Sequence, residues 1–237
     1  MSTGRVLFVG CGPGAADLLT LRAVRALELA DVIIWSPSLI AREAVAAHAR
    51  PDSEIVEWPP ATQRDIEAVY DRARAADLVV VRLKGGDPML FGAMAADLAA
   101  VRDRGLACEI VPGVSAVGAS AAALGREIAT TDVPLLLVAS SALCDRSDPC
   151  AVAAYGASRD PHALQEALLR RGLPRGTACA VAVEVSRPGE TLLSCTLDEL
   201  GETIEDMALG LLSLVVAIPS GTSAQSLGGS SRARTRD

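Results

Sequence analysis

With 237 residues, half of them hydrophobic, the chain can bury the core of one large domain or two small ones. A net charge of −7 and a pI near 5.0, without a visible basic face, argue against a nucleic-acid partner. Local arginines still leave room for an anionic small molecule. The six cysteines form no C-x-x-C pair, and the two histidines, His48 and His162, stand in no zinc-ligand or catalytic-triad setting. Neither a metal nor a histidine-based nucleophile is therefore expected. The thiols read as buried and free, in a reducing cytoplasmic compartment. A strand pattern begins almost at the first residue, where no signal peptide is visible. The longest apolar run, 209–219, is too short to cross a bilayer, so no membrane partner is expected.

In chain order, residues 5–10 (RVLFVG) form a short apolar run ending in glycine, a buried first strand. A glycine-rich turn, 10–14, follows. Thr20 can cap a helix running to about Ala30, with Leu21, Val24, Ala26 and Leu27 facing inward. Residues 31–35 (DVIIW) predict a second strand and 55–58 a third. A helix over 65–76, a strand over 78–83 and a helix over 89–104 stopped by Gly105 come next. Residues 108–111 read as a short strand and 114–124 as an alanine-rich helix. The pattern breaks near 130–134. Strands at 135–139, 150–155, 179–185 and 211–218 follow, with helices at 161–171 and 197–207 and a further element at 190–195. The tail, 220–237, is rich in Ser, Gly and Arg and is expected to be disordered.

Alternating strands and helices predict an α/β fold with mainly parallel sheets covered on both faces. The division expected is a first domain over 1–130 and a second over 131–219. Ligands of such sheets sit at the carboxyl ends of strands, which directs attention to the loops after Val9 and Leu83.

Gly10-Cys11-Gly12-Pro13-Gly14 follows a strand, as a dinucleotide-binding turn would. Position 15 is Ala rather than Gly, and the next strand ends Trp35-Ser36 without a ribose-holding acid, so the NAD reading fails twice. A P-loop is excluded by the missing Lys-Ser/Thr pair. A tight structural turn and a ligand loop both remain open there. Arg82-Leu83-Lys84-Gly85-Gly86-Asp87-Pro88 says more. Asp87 at N-cap and Pro88 at N1 would start a helix, yet capping alone leaves unexplained the paired glycines and Lys84, the only lysine in the chain. A third turn, 111–116 (VPGVSA), repeats the arrangement, with Ser115 as cap or ligand contact. Three Gly/Pro turns after strands suggest one shared crevice.

Together these turns resemble the tetrapyrrole (corrin/porphyrin) methylase family. The matching segments are 6–34, 79–92 (VVVRLKGGDPMLFG) and 109–125 (EIVPGVSAVGASAAALG), with a looser match over 158–174. The resemblance implies two α/β domains, a homodimer, and S-adenosylmethionine as methyl donor in the cleft between the domains. It also implies a small-molecule tetrapyrrole as acceptor, and no metal. Carried over by position, donor contacts fall on Pro13, Gly85, Gly86, Asp87, Leu90, Ser115 and Ala116, with Tyr155 and the strand end near Val185 as looser matches. Polycarboxylate acceptors favour arginine forks, which makes Arg82, Lys84 and Arg126 the substrate candidates, with Arg187 beside them. Cys11 reads as packing. Within the family, LGREIA (124–129) and WSPSLI (35–40) resemble the precorrin-4 carbon-11 branch, whereas RLKGGDP (82–88) is closer to the uroporphyrinogen III branch. A module that binds but has lost catalysis is the alternative of another class.

Overall fold

The computed structural model describes residues 4–139, 150–206, 213–219 and 234–235. The chain divides into two units, Met1–Ala116 and Val117–Asp237.

In the first unit, β1 (Arg5–Gly10), β2 (Val32–Trp35), β3 (Glu54–Glu57), β4 (Val79–Lys84) and β5 (Ala107–Val111) form one sheet in the order β3-β2-β4-β1-β5. All four pairings are parallel. The continuous apolar runs of β1, β2 and β4 follow from burial on both faces. Leu7, Val9, Ile33, Val81 and Leu83 pack on one face with Ala23, Ala26 and Leu27 of α1 (Leu21–Leu29) and Val45 of α2 (Arg42–Ala46). Val6, Phe8, Val32, Ile34 and Val80 pack on the other. There they meet Ile66, Val69, Tyr70 and Ala73 of α3 (Gln63–Ala76), and Met94 and Val101 of α4 (Met94–Asp103).

Helix starts follow local chemistry. Thr20 Oγ1 accepts from Ala23 N at 3.1 Å, as its position predicts. Thr62 and Asp65 make a full capping box at the start of α3. Leu21, expected inward, is 77% exposed at the first turn of α1, whose buried stripe is Ala23, Ala26 and Leu27. The helix expected from residue 89 begins only at Met94. Before it, Phe91 and Ala93 are left-handed, with φ of 59° and 51°. At Gly92 a Cβ would stand 2.0 Å from the Pro88 carbonyl oxygen, so the turn closes on itself before a helix can form.

The second unit carries β6 (Leu135–Ala139), β7 (Ala151–Tyr155), β8 (Ala178–Val183), β9 (Thr191–Thr196), β10 (Ser213–Ile218) and the two-residue β11 (Arg234–Thr235), in the order β11-β9-β8-β10-β7-β6. α6 (Pro161–Arg170), capped by Asp160, and α7 (Leu200–Glu205) cover one face through Leu164, Leu168, Leu200 and Ile204. On the other face Val117 of α5 (Ala116–Leu124), Ile128 and Val133 share a core with Ala151, Ala153, Leu214 and Val216. Residues 117–130, which the sequence assigns to the first domain, thus pack with the second.

Only β6 and β7 pair in parallel in this sheet. β7 with β10, β10 with β8, β8 with β9 and β9 with β11 are antiparallel. Among the described strands parallel pairings therefore prevail, five against four, but they belong chiefly to the first unit. The link 184–190 between β8 and β9 is too short for a crossover, so β9 returns as a hairpin. Of the tail, only Arg234–Thr235 is described, as the short strand β11; the disorder expected over 220–237 otherwise concerns residues outside the described set. Cys144 also lies outside it; of the other cysteines Cys11, Cys150 and Cys179 are buried as expected, Cys195 is half-buried, and Cys108 is exposed on β5.

Candidate active site

Because β1 lies between β4 and β5, the three Gly/Pro turns emerge side by side at the carboxyl edge of the first sheet. Gly86 N donates to Gly12 O at 2.8 Å, Gly12 N returns a bond to Gly86 O at 3.3 Å, and Cys11 N donates to Lys84 O at 2.9 Å. Asp87 ties the second turn to the third: one carboxylate oxygen accepts from Gly113 N at 3.1 Å and the other from Met89 N at 2.8 Å. The carboxylate therefore holds a turn and a neighbouring loop, and no helix begins at Pro88. At Gly113 a Cβ would fall 2.1 Å from Gly86 O and 2.8 Å from Gly10 Cα. A Cβ at Gly10 would fall 2.6 Å from that same oxygen. Glycine is required here because backbone touches backbone. The expected meeting of the three turns is thus found. Pro13, Ser115 and Ala116 lie half-buried on the first and third loops, and Leu90 is 40% exposed on the turn after the second.

Next to these loops a cleft of about 390 Å³ opens at the ends of β2, β3 and β4. Trp35, Leu39, Trp58 and Phe91 form its apolar walls, and Arg82, Lys84 and Gly85 also line it. Both tryptophans of the chain are therefore in this one cleft. The Trp35 indole donates to Ile40 O at 2.8 Å, and the Ser36 and Ser38 hydroxyls are bonded at 2.9 Å, which fixes the 36–40 wall.

Arg82 and Lys84 stand two residues apart on β4 and so share a face of the sheet. Arg82 Nη1 donates to Asp97 Oδ1 at 2.6 Å and to the Tyr70 hydroxyl at 3.0 Å. Its guanidinium carbon lies 5.3 Å from the centre of the Trp58 ring, within cation–π range. Lys84 Nζ donates to Asp97 Oδ2 at 2.5 Å and to Gly92 O at 3.1 Å. Burial lowers the Lys84 ammonium from its ordinary value; Asp97 opposes that shift and the Arg82 charge adds to it. Burial also raises the Tyr70 phenol, so it stays neutral. Two of the cations singled out in the sequence, Arg82 and Lys84, are thus internally paired as well as cleft-lining. Asp97, their shared partner, goes unnoticed in the sequence. Its signal is its place on the inward stripe of α4, with Met94 and Val101.

The remaining candidates belong to the second unit. Tyr155 ends β7 opposite Leu214, and Val183 ends β8 opposite Ser213, so Tyr155 and the Val185 loop share one end of that sheet, on either side of β10. Val185 is flanked by two left-handed residues, Glu184 at φ 46° and Ser186 at φ 64°. Ser186 N donates at 2.7 Å to the carboxylate of Glu190, which is only 5% exposed. Arg187 closes the turn by donating from N to Glu184 O at 3.0 Å. Arg126 is half-buried beyond α5.

The first unit's loops expose main chain rather than side chain at Gly85 and Gly86. Gly85 is exposed, and a Cβ there would meet only the flexible Leu39 side chain, at 3.0 Å. At Gly86 the nearest atom to an added Cβ is 3.7 Å away. The backbone is therefore open on that side. Cys11, fully buried in the core beneath, is packing rather than chemistry.

An all-parallel sheet with three interlocked glycine turns at its carboxyl edge defines an α/β fold of the kind in which ligands bind at strand-end loops. The chain belongs to the tetrapyrrole (corrin/porphyrin) methylases, whose family model matches residues 5–201. It is 32% identical over 227 residues to a precorrin-4 C(11)-methyltransferase of Rhodococcus erythropolis, covering 90% of this chain and 89% of that one. A cobalt precorrin-4 methyltransferase shares the fold, with a TM-score of 0.80 at 23% identity over 92% of this chain and 95% of that one. A uroporphyrin-III C-methyltransferase of Thermus thermophilus, solved with S-adenyl homocysteine, superposes with a TM-score of 0.72 at 27% identity, covering 91% and 92%.

Proposed function

We propose that the chain transfers a methyl group from S-adenosylmethionine to a ring carbon of a corrin precursor, with precorrin-4 at carbon 11 as the acceptor. The observation that carries this reading is the cleft, with two tryptophans in its walls and two cations on its floor beside the interlocked glycine loops. Its aromatic walls and cationic lining suit an acidic macrocycle. One wall is the 35–40 segment, the stretch whose residues resemble the precorrin-4 branch. The relative from Rhodococcus, named for that reaction, supports the same choice.

When bound, the donor would supply a sulfonium methyl, which an electron-rich ring carbon attacks in line while S-adenosylhomocysteine leaves as the neutral thioether. What the chain supplies is alignment, which is worth roughly 7–11 kcal/mol when two reactants are well held. The Gly12–Gly86 bridge and the Asp87 carboxylate fix the loops; Trp35 and Trp58 exclude water from the acceptor face; Lys84 and Arg82 attract its carboxylates. The reading extends to a cytoplasmic homodimer.

The test is incubation of the purified chain with S-adenosylmethionine and, in parallel, precorrin-4 or uroporphyrinogen III. S-adenosylhomocysteine and the acceptor mass are then measured. One added methyl on precorrin-4 is the expected result. Double methylation of uroporphyrinogen III favours the second reading, which the RLKGGDP segment and the Thermus relative support. Donor binding without turnover of either acceptor would mean a binding module. No calorimetric binding of the donor or its product by folded protein would overturn the methyltransferase reading.

A further inference from the structure

Asp97 lies on α4, outside all three motif loops, and is 4% exposed. A buried carboxylate on an otherwise apolar helix stripe is costly unless paired, and a buried ion pair stabilises a fold little better than well-packed apolar residues. Stability alone therefore gives no reason for a charge at this place. Its geometry gives one. Each oxygen takes a different cation, Oδ1 from Arg82 at 2.6 Å and Oδ2 from Lys84 at 2.5 Å, and both cations line the cleft.

An ammonium has three donors. Lys84 spends two, on Asp97 and Gly92, and its third has no partner among the described residues. Asp97 thus sets the direction of that remaining donor. Through Arg82 it also holds the guanidinium over Trp58. Two cations against one carboxylate, with Tyr70 neutral, leave one positive charge in excess at the cleft floor.

We infer that Asp97 is a positioning residue of the cleft, acting through Lys84 and Arg82 to hold their cationic ends where an acidic group of the methyl acceptor is received. The inference rests on the acceptor reading proposed above.

Lys84 is the only lysine, so acetic anhydride labelling of the ε-amine can be followed by mass spectrometry on a single peptide. In Asp97→Asn the ammonium loses its counter-ion, and labelling at pH 8 is expected to run about tenfold faster than in wild type. With whichever acceptor the wild type methylates, precorrin-4 or uroporphyrinogen III, Asp97→Asn should raise KM about tenfold while kcat stays within about threefold. The affinity for S-adenosylhomocysteine should not change. In a Lys84→Met background the same substitution should move KM by less than about threefold, because its main intermediary is gone. Asp97→Glu carries the test if Asp97→Asn does not fold: it keeps the charge but displaces it, so KM still rises with little change in Tm. Unchanged labelling in Asp97→Asn, or an unchanged acceptor KM in the folded variants, overturns the inference. A wild type that methylates neither acceptor overturns the acceptor reading instead, and the labelling comparison then still decides whether Asp97 holds Lys84.

Discussion

In the first unit the strand-end loops are held chiefly main chain against main chain: the Gly10 and Gly113 backbones meet each other and the Gly86 carbonyl oxygen, with no room for a Cβ on Gly10 or Gly113. In the second, the loop after β8 is held by a side chain. Glu184 and Ser186 take left-handed conformations without being glycine, and the buried Glu190 carboxylate accepts from Ser186 N. The first device tolerates no side chain at Gly10 or Gly113, and the Asp87 carboxylate only adds a tie to Gly113 N. The second accepts side chains at strained positions but depends on a single carboxylate. Both present backbone at a strand end, one by close packing and the other by stored strain with an anchor.

The sharpest way to break the first device is Gly113→Ala. Backbone must move on two sides at once, so a loss of about 3 kcal/mol in urea denaturation is expected, together with loss of S-adenosylhomocysteine binding by calorimetry. A variant with near wild-type stability would show that the loops yield, and would erase the contrast. Glu190→Ala attacks the second device. It leaves the Ser186 N–H without its charged acceptor, and about 2 kcal/mol of stability should go. Ser186→Gly should do the opposite on a smaller scale. It relieves a left-handed residue at the cost of a freer unfolded chain, for a net gain of about 0.5 kcal/mol by the same denaturation. A clear destabilisation instead would mean that the Ser186 side chain, rather than its backbone, anchors the turn.

Much of the first device is legible in the sequence, because glycine after a buried strand has few other uses. RVLFVG and LVVVRL place β1 and β4, and the Gly/Pro turns fall where the loops are. The partnership among those turns is not legible, since it depends on β1 lying between β4 and β5, which only tertiary pairing decides. The late start of α4 is hidden for a related reason: apart from Gly92, MLFGAMAADL has ordinary helix residues, and the turn at 88–93 closes on the Pro88 carbonyl. Asp97 was within reach. A single acid on an alanine-rich helix stripe is the kind of local conflict that marks a buried charge, but nothing nearby in sequence names its partners on β4. The antiparallel direction of the second sheet hides in the brevity of the 184–190 link, since the same strand–helix alternation also describes a crossover fold.

The strand order has a consequence for how the first unit comes into being. β1 is made first, yet its only neighbours are β4 and β5, with Arg5 opposite Val79 on one side and Ala107 on the other. At about 5–20 residues per second of synthesis, the leading strand waits several seconds for its first partner and longer for its second. Only when β5 docks can Gly113 close on Gly10 and Gly86. The glycine edge is therefore the last part of that unit to assemble, and ribosome-bound chains halted before Val111 should carry an unpaired, apolar β1 that chaperones recognise.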